Sequence, residues 1–142
     1  SGRIINRPLK TESKEFRITC LSMGNPHCVT YHDDLTNIAV EKYGPILEHH
    51  SIFPKRANIS FVNVISKNEI HMRVWERGAG ETRACGTAAC ATLVASVLNG
   101  YTDRTATVTL PGGKLEIDWS TKDNHVYMRG PAEIVYKGEI VI

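Results

Sequence analysis

Cys85 stands in the stretch of the chain whose residue types could do acid–base chemistry. Residues 76–87 read Glu-Arg-Gly-Ala-Gly-Glu-Thr-Arg-Ala-Cys-Gly-Thr, and an almost wholly apolar segment follows. A helix that begins at Cys85 leaves its first backbone N–H groups without carbonyl partners, and such an end binds anions and favours a thiolate over a thiol. The pattern therefore predicts an anion site beside a cysteine that can act as a base or nucleophile.

A simpler interpretation is that Cys85 is a small apolar packing residue at a helix start, the commoner role of an intracellular cysteine. A packing residue does not need Gly78 and Gly80 before it or Gly86-Thr87 after it, and these neighbours favour the reactive role. A P-loop would need a lysine directly before the Thr, and a dinucleotide motif fails at Arg83. Because the sequence contains no C-x-x-C pair, we expect no metal site.

Three other places carry polar groups that could contact a ligand. Gly24-Asn-Pro-His27 predicts a rigid turn that holds the Asn25 carboxamide near the His27 imidazole. Two alternatives are open: most Asn-Pro pairs are explained by turn chemistry alone, and a single histidine such as His27 is more often structural than catalytic. Asn58 begins a β-rich segment. Glu76 and Arg77 end another strand directly before the glycine loop, where a solvated ion pair is the alternative interpretation.

The predicted elements explain how these residues could be positioned. From Ala88 to Leu98 only Thr92 and Ser96 are polar, so this helix is apolar nearly all round, as is typical of a helix enclosed by other structure; Asn99-Gly100 ends it. Residues 38–50 predict one or two short helices broken at Gly44-Pro45. Alternation of apolar and polar residues predicts strands at 16–20, 58–65, 70–75, 105–110, 114–119, 125–129 and 133–142.

These elements predict an α+β fold. A mixed, mostly antiparallel β-sheet should curl into a barrel or roll around the one buried central helix, because no second amphipathic layer is available to cover that helix. We expect residues 1–15 to be a linker or N-terminal extension and residues 16–142 to form one domain.

Composition limits the classes of partner. The chain has 142 residues, is 42% hydrophobic and carries a formal net charge of +2, with its basic residues scattered. This balance gives no case for binding nucleic acid or a membrane. The sequence lacks an apolar run long enough to cross a bilayer and a secretory start, so we expect a cytoplasmic protein whose four cysteines are free thiols.

Taken together, the motifs resemble the second half of the diaminopimelate epimerases. The similarity rests on Gly-Asn-Pro-His at 24–27, Asn58 at a strand start, and the stretch 76–87, and it covers the chain from about Phe16 to the C-terminus. The resemblance implies a cofactor-independent isomerase that inverts one α-carbon of diaminopimelate between the LL and meso forms, in lysine and peptidoglycan biosynthesis. Two cysteines on opposite faces of that carbon exchange the roles of base and acid.

The resemblance also implies roles for individual residues. Cys85 matches the second catalytic cysteine, and Gly86 and Thr87 would bind the reacting carboxylate at the helix N-terminus. The distal amino-acid end and its ammonium group would be held by the remaining candidates, Asn25, Asn58, Arg77 and Glu76. His27 and Glu76 would also tune the pKa values of the catalytic cysteines.

The family has two pseudo-symmetric domains, and the first, with the other catalytic cysteine, has no counterpart here: Cys20, Cys28 and Cys90 do not stand in its Cys-Gly-Asn motif. The chain is therefore expected to be the C-terminal half of a homodimeric enzyme, inactive alone, whose last strand (131–142) packs on the N-terminal half. Two alternatives remain: an isomerase of the same fold with another substrate, proline racemase-like or phenazine-biosynthesis-like, and a non-catalytic anion-binding module.

Overall fold

The computed structural model describes residues 3–142. Within this range the chain forms nine strands and two helices. In chain order they are β1 (Arg7–Lys10), β2 (Glu15–Ser22), β3 (Pro26–Tyr31), α1 (Val40–Glu48), β4 (Asn58–Ser66), β5 (Glu69–Glu76), β6 (Gly80–Thr82), α2 (Gly86–Leu98), β7 (Thr105–Leu110), β8 (Gly113–Trp119) and β9 (Val126–Arg129). Neither helix is long and apolar enough to cross a bilayer.

All nine strands belong to one mixed sheet with the order β1-β2-β3-β4-β5-β7-β8-β9, and β6 pairs with β5. Neighbouring strands are antiparallel except for the pairs β3–β4 and β5–β7, which are parallel. Parallel neighbours need a crossover connection, and α1 and α2 are the helices that these two connections contain. The predicted α+β class and mixed sheet are confirmed. Within the described residues β1 and β9 stand at the two ends of the strand order and do not pair with each other, so the sheet is open.

Helix α2 is the enclosed element that the sequence predicted. Every residue from Ala88 to Ser96 is buried, and the helix packs against β2, β3, β4, β5, β7, β8 and β9. Its end follows from Asn99-Gly100: Gly100 has φ +75°, the Gly100 N–H donates to the Val97 carbonyl at 2.9 Å, and the Tyr101 N–H donates to the Ser96 carbonyl at 2.8 Å. These two bonds form a Schellman motif that closes the helix beside the sheet.

Helix α1 is one continuous helix, so the predicted break at Gly44-Pro45 is wrong. Pro45 removes one helical hydrogen bond, but α1 packs on β4, β5 and β6, and that packing holds the helix through the proline. Gly44 is required because the α1 backbone approaches the Trp75 side chain closely, and not because the helix needs flexibility. A Cβ built there would lie 2.4 Å from ring atoms of Trp75, so only glycine lets the helix backbone reach that indole.

The two ends of the chain differ from the sequence-based expectation. The segment 1–15, expected to be a linker, contains β1, which pairs with β2 and buries Leu9; residues 1 and 2 of that segment lie outside the described residues. Residues 131–142, expected to contain a strand, are exposed and form none. No neighbouring strand pairs with this backbone within the described residues, which removes the ladder that its alternating sequence requires.

Candidate active site

Cys85 is the N-cap residue of α2. Its backbone is extended (φ −151°, ψ 111°), and its carbonyl accepts the Ala89 N–H at 3.0 Å. The Cys85 side chain makes no capping hydrogen bond, and its sulfur lies 3.5 Å from the Thr87 hydroxyl oxygen. The first-turn N–H groups therefore keep their capacity to bind an anion next to a half-buried thiol.

Met128 lies over this helix end, which the sequence did not indicate. A Cβ built on Gly86 would approach its sulfur at 3.0 Å and its methyl carbon at 3.1 Å. Met128 belongs to β9, more than forty residues from Gly86 in the chain, and it is 51% exposed. Glycine at position 86 therefore leaves room for a flexible thioether that forms one wall beside the α2 N-terminus.

The glycine loop before Cys85 is a tight hairpin between β5 and β6. Glu76 pairs with Gly80, the Ala79 N–H donates to the Glu76 carbonyl at 3.1 Å, and both Gly78 (φ +76°) and Gly80 (φ +83°) adopt the left-handed conformation that glycine tolerates. The sequence indicates the loop but not the three-residue strand β6. A strand this short carries no periodic pattern from which it could be found.

Asn58 connects three segments of the site. It is 5% exposed; its side-chain oxygen accepts the Arg77 backbone N–H at 2.8 Å, and its amide group donates to the Pro26 carbonyl at 3.3 Å. The carboxamide oxygen is thus occupied by the protein's own backbone. The second amide hydrogen is the part of Asn58 that a ligand could still use.

His27 is a buried, neutral imidazole at neutral pH. Its Nε2 lies 2.9 Å from the Asn25 side-chain oxygen, so the ring donates from Nε2 and leaves Nδ1 as an acceptor, for which the described residues supply no partner. Burial lowers the pKa of His27 from 6.5 to about 4, and the Arg77 charge adds to this effect while the Glu76 charge opposes it. The structure therefore brings Asn25 and His27 together as the turn predicted.

Glu76 and Arg77 make separate contacts. The Thr82 hydroxyl donates to the Glu76 carboxylate and, in a longer contact of 3.4 Å, lies near the Ala84 carbonyl. The Arg77 side chain is exposed, and its guanidinium donates to the Lys55 carbonyl at 3.2 Å. Glu76 and Arg77 therefore have different partners and do not form the solvated ion pair that was the alternative interpretation.

Glu48, at the end of α1, is a residue of the site that sequence reasoning missed. It is 3% exposed, and its carboxylate accepts the Trp75 indole N–H at 2.9 Å, the Gly78 backbone N–H at 3.0 Å and an Arg56 N–H at 3.4 Å. Burial raises the pKa of Glu48, but these hydrogen bonds and the nearby charges of His49 and Arg56 outweigh it, so the pKa lies below its ordinary value. An ionised Glu48 thus holds the glycine loop in place.

Most of the candidate residues lie at the same end of the neighbouring strands β3, β4 and β5. Because β3 and β4 run parallel and β5 runs opposite to them, the starts of β3 and β4 meet the end of β5. This geometry places Asn25, His27, Asn58, Glu76 and Arg77 close together. Thr82 contacts both Glu76 and the carbonyl of Ala84, the residue before Cys85. Among the described residues no group of three or more His, Cys, Asp or Glu side chains could hold a metal ion.

The sequence of this chain matches the family model described as diaminopimelate epimerase over residues 19–135. The chain belongs to the diaminopimelate epimerase family. It is 55% identical over 139 residues to diaminopimelate epimerase 1 of Nostoc sp. (98% of this chain, 50% of the relative) and 58% identical over 133 residues to the diaminopimelate epimerase of Acetivibrio thermocellus (94% and 48%). The chain thus spans about half the length of the diaminopimelate epimerases that it matches.

Solved structures support the fold assignment. A PhzF-family phenazine biosynthesis protein of Bacillus anthracis superposes with a TM-score of 0.54 at 22% identity, covering 80% of this chain and 38% of that one. A PhzF-family protein of Enterococcus faecalis gives a TM-score of 0.54 at 17% identity, with 75% and 40% coverage. At this level of identity the likeness concerns the fold alone.

Proposed function

We propose that this chain carries one of the two acid–base thiols of a diaminopimelate epimerase. The observation that carries the proposal is Cys85 at the N-terminus of α2, in a chain more than 50% identical to members of that family. An epimerase removes a proton from one face of the α-carbon and delivers another to the opposite face. Cys85 serves one face.

The N-terminus of α2 holds the reacting carboxylate. The Gly86 and Thr87 N–H groups point out of the first turn of a thirteen-residue helix whose carbonyls cannot accept from them. Negative charge that develops on the substrate during deprotonation is stabilised by these donors and by the helix dipole. Met128 narrows the space beside Gly86 and helps to keep water away from the carboxylate.

The distal amino-acid end of diaminopimelate binds along the sheet edge. Asn25, the remaining amide hydrogen of Asn58 and the Arg77 guanidinium contact it, and Glu76 accepts from an ammonium group. Arg77 can serve because its side chain is exposed and its protein contact is a single backbone carbonyl. Neutral His27 and the nearby Glu76 tune the pKa values of the reacting thiols.

The second thiol comes from outside these 142 residues. The relatives are about twice as long as the matched region, which leaves room in them for a second domain. In the complete enzyme, residues 131–142 pair with that domain, the open sheet is completed into a roll around α2, and the protein is a cytoplasmic homodimer. The exposed apolar side chains of Ile134, Val135, Tyr136 and Ile140 support the docking of this segment.

A chimera tests the proposal. The part of the Nostoc sp. relative that this chain does not cover is fused to residues 3–142, and LL-diaminopimelate is supplied in heavy water. We expect meso product with deuterium at the α-carbon from the chimera, and neither product nor exchange from its Cys85→Ser variant. The chain alone should give essentially no inversion, because it reaches one face of the carbon only and leaves the site open to water.

Three outcomes separate the proposal from its rivals. Exchange without inversion by the chain alone would show Cys85 acting as a lone base. Inversion by the chain alone would contradict the half-site assignment. A chimera that folds and binds but neither exchanges nor inverts diaminopimelate would support another substrate of the same fold, or an anion-binding module.

A further inference from the structure

Two cysteines outside the candidate site lie directly opposite each other in the sheet. Cys20 on β2 and Cys28 on β3 are antiparallel partners, next to the turn that carries Asn25 and His27. Cys28 is fully buried, Cys20 is half-buried, and both thiols are free. The mechanism proposed for Cys85 uses neither of them.

The hydrogen-bond pattern shows which kind of cross-strand pair this is. The Cys20 N–H donates to the Ile4 carbonyl at 2.9 Å, on the side of β2 that faces away from β3. In an antiparallel ladder, the N–H and C=O of one residue point to the same side, so Cys20 and Cys28 form a non-hydrogen-bonded pair. In such pairs the Cα atoms are about 4.5 Å apart and the side chains approach most closely. That spacing lies within the range of about 4.4–6.8 Å that a disulfide spans.

The two side chains also share a face of the sheet. Cys28 belongs to the buried cluster that contains Phe16, Ile18 and residues of α1, and Cys20 packs against the same cluster. Cys85 and Cys90 belong to the other cluster, with α2. The sheet therefore separates the two sets of thiols, and Cys20 has Cys28 as its neighbour for pairing.

We propose that Cys20 and Cys28 are a redox-active dithiol that forms a reversible disulfide when a hydroperoxide is the oxidant. The Cys20 thiolate attacks one peroxide oxygen, the O–O bond breaks, and Cys20 becomes a sulfenic acid as water or an alcohol leaves. The Cys28 sulfur then attacks the Cys20 sulfur, the S–O bond breaks, and the hydroxyl leaves as water with the Cys28 proton. Two electrons pass from the two thiols to the peroxide.

The local chemistry supports this order of events. A hydrogen bond from the Cys28 thiol lowers the pKa of Cys20, against the opposing effect of burial. The same hydrogen bond, burial and the neighbouring sulfur raise the pKa of Cys28. Cys20 is therefore the more exposed and the more readily deprotonated of the two thiols, and Cys28 resolves it from within the sheet. The disulfide would tether β2 to β3 beside the Asn25–His27 turn.

Peptide mapping tests the proposal on the 142-residue chain. Trypsin leaves both cysteines in one peptide, residues 18–42. The chain is reduced, treated with graded hydrogen peroxide and then alkylated in denaturant, so that the buried Cys28 is also reached. We expect the oxidised peptide to be two hydrogen masses lighter and to take no label, and dithiothreitol to restore two labels. The Cys85→Ser variant should behave in the same way. Cys20→Ser and Cys28→Ser should abolish the two-hydrogen loss.

Thermal unfolding supplies a second measurement. A disulfide across the hairpin restricts the unfolded chain, so the oxidised form should melt several degrees above the reduced form in the wild type and in Cys85→Ser, with no such shift in Cys20→Ser. Circular dichroism shows whether each variant is folded. The proposal is overturned if the wild-type protein keeps both labels in peptide 18–42 at the highest peroxide dose at which it stays folded, or if Cys20 is found bonded to Cys85 or Cys90.

Discussion

Asn58 shows how a single side chain organises the candidate site. Its carboxamide binds the Arg77 N–H and the Pro26 carbonyl, groups that belong to two different strand ends. Both hydrogen bonds are partly buried, and losing one should cost about 0.5–1.5 kcal/mol of stability. At the scale of residues, the site is therefore held by polar contacts to the backbone as much as by ligand-binding groups.

Cys85 is expected to be the thiol that iodoacetamide modifies first. Cys28 and Cys90 are buried, and Cys20 lies within β2 directly opposite Cys28, whereas Cys85 is an N-cap residue between the exposed Ala84 and Thr87. A brief treatment with limiting reagent at neutral pH, followed by peptide mapping, measures the order of labelling. Faster labelling of Cys20 or Cys28 would remove Cys85 from the site.

Arg77→Lys should weaken diaminopimelate binding by about one to two orders of magnitude in the chimera, with turnover reduced as well. Lysine keeps the charge but cannot make the planar, two-pronged contact with a carboxylate, and a charge-assisted hydrogen bond contributes about 1.5–3 kcal/mol. Steady-state kinetics measure the effect. The matched control is Arg17→Lys, because the exposed Arg17 side chain contacts Asn6, the residue before β1, and no candidate site residue. Equal kinetics for both variants would exclude Arg77 from substrate binding.

At the scale of elements, α1 positions the glycine loop although it lies outside the loop in the chain. Its last residue, Glu48, reaches the Gly78 N–H, and Gly44 lets Trp75 pack closely enough to donate to the same carboxylate. The crossover between β3 and β4 therefore does more than connect two parallel strands. It supports the backbone from which Glu76 and Arg77 project.

Glu48→Gln should destabilise the protein by about 1–3 kcal/mol and loosen the loop, because the amide places a second donor against the N–H groups of Trp75 and Gly78. Urea unfolding measures the stability change, and hydrogen exchange at the Gly78 and Ala79 amides measures the loosening. Glu41→Gln is the control, since Glu41 is an exposed residue of the same helix. Unchanged exchange at Gly78 in Glu48→Gln would show that the loop does not depend on this contact.

At the scale of the whole molecule, the stability of the fold should depend on pH through two histidines, the buried His27 and the half-buried His32. Burial first, and then the Lys14 charge, lower the pKa of His32 from 6.5 to about 4, as burial and Arg77 do for His27. Both imidazoles are therefore neutral in the folded state under conditions in which the unfolded chain binds protons. The contribution of the two neutral histidines to the free energy of unfolding is complete above pH 6.5 and is lost as the pH falls from 6.5 to about 4.

We therefore expect the free energy of unfolding to be nearly constant above about pH 6.5 and to fall steadily below it. Glu48, whose pKa is lowered, adds a further loss below about 4.5. Urea titrations over this range provide the measurement. His27→Gln and His32→Gln should flatten the slope between pH 6.5 and 4, while the exposed His125→Gln should not. A flat profile in the wild type would contradict the lowered pKa values of both rings.

The sequence alone determined the features that depend on neighbouring residues. Apolar alternation located β2, β4, β5, β7 and β8, and the nearly uniform apolar segment after residue 87 located α2 and placed Cys85 at its start. Asn99-Gly100 ended the helix where the Schellman motif forms. These signals are local because strand pairing faces, helix caps and turns are set by residues within a few positions of one another.

Only the tertiary structure decided which distant segments complete those elements. The break predicted at Pro45 is absent because α1 packs on the sheet. Strand β1 forms because it pairs with β2. Residues 131–142 form no strand because no strand of the described residues pairs with them. The roles of Glu48, Met128 and the occupied oxygen of Asn58 were hidden for the same reason. The decisive partners are distant in the chain: Arg77 lies 19 positions from Asn58, Gly78 lies 30 from Glu48, and Gly86 lies 42 from Met128. A sequence pattern does not specify such contacts until the chain has packed.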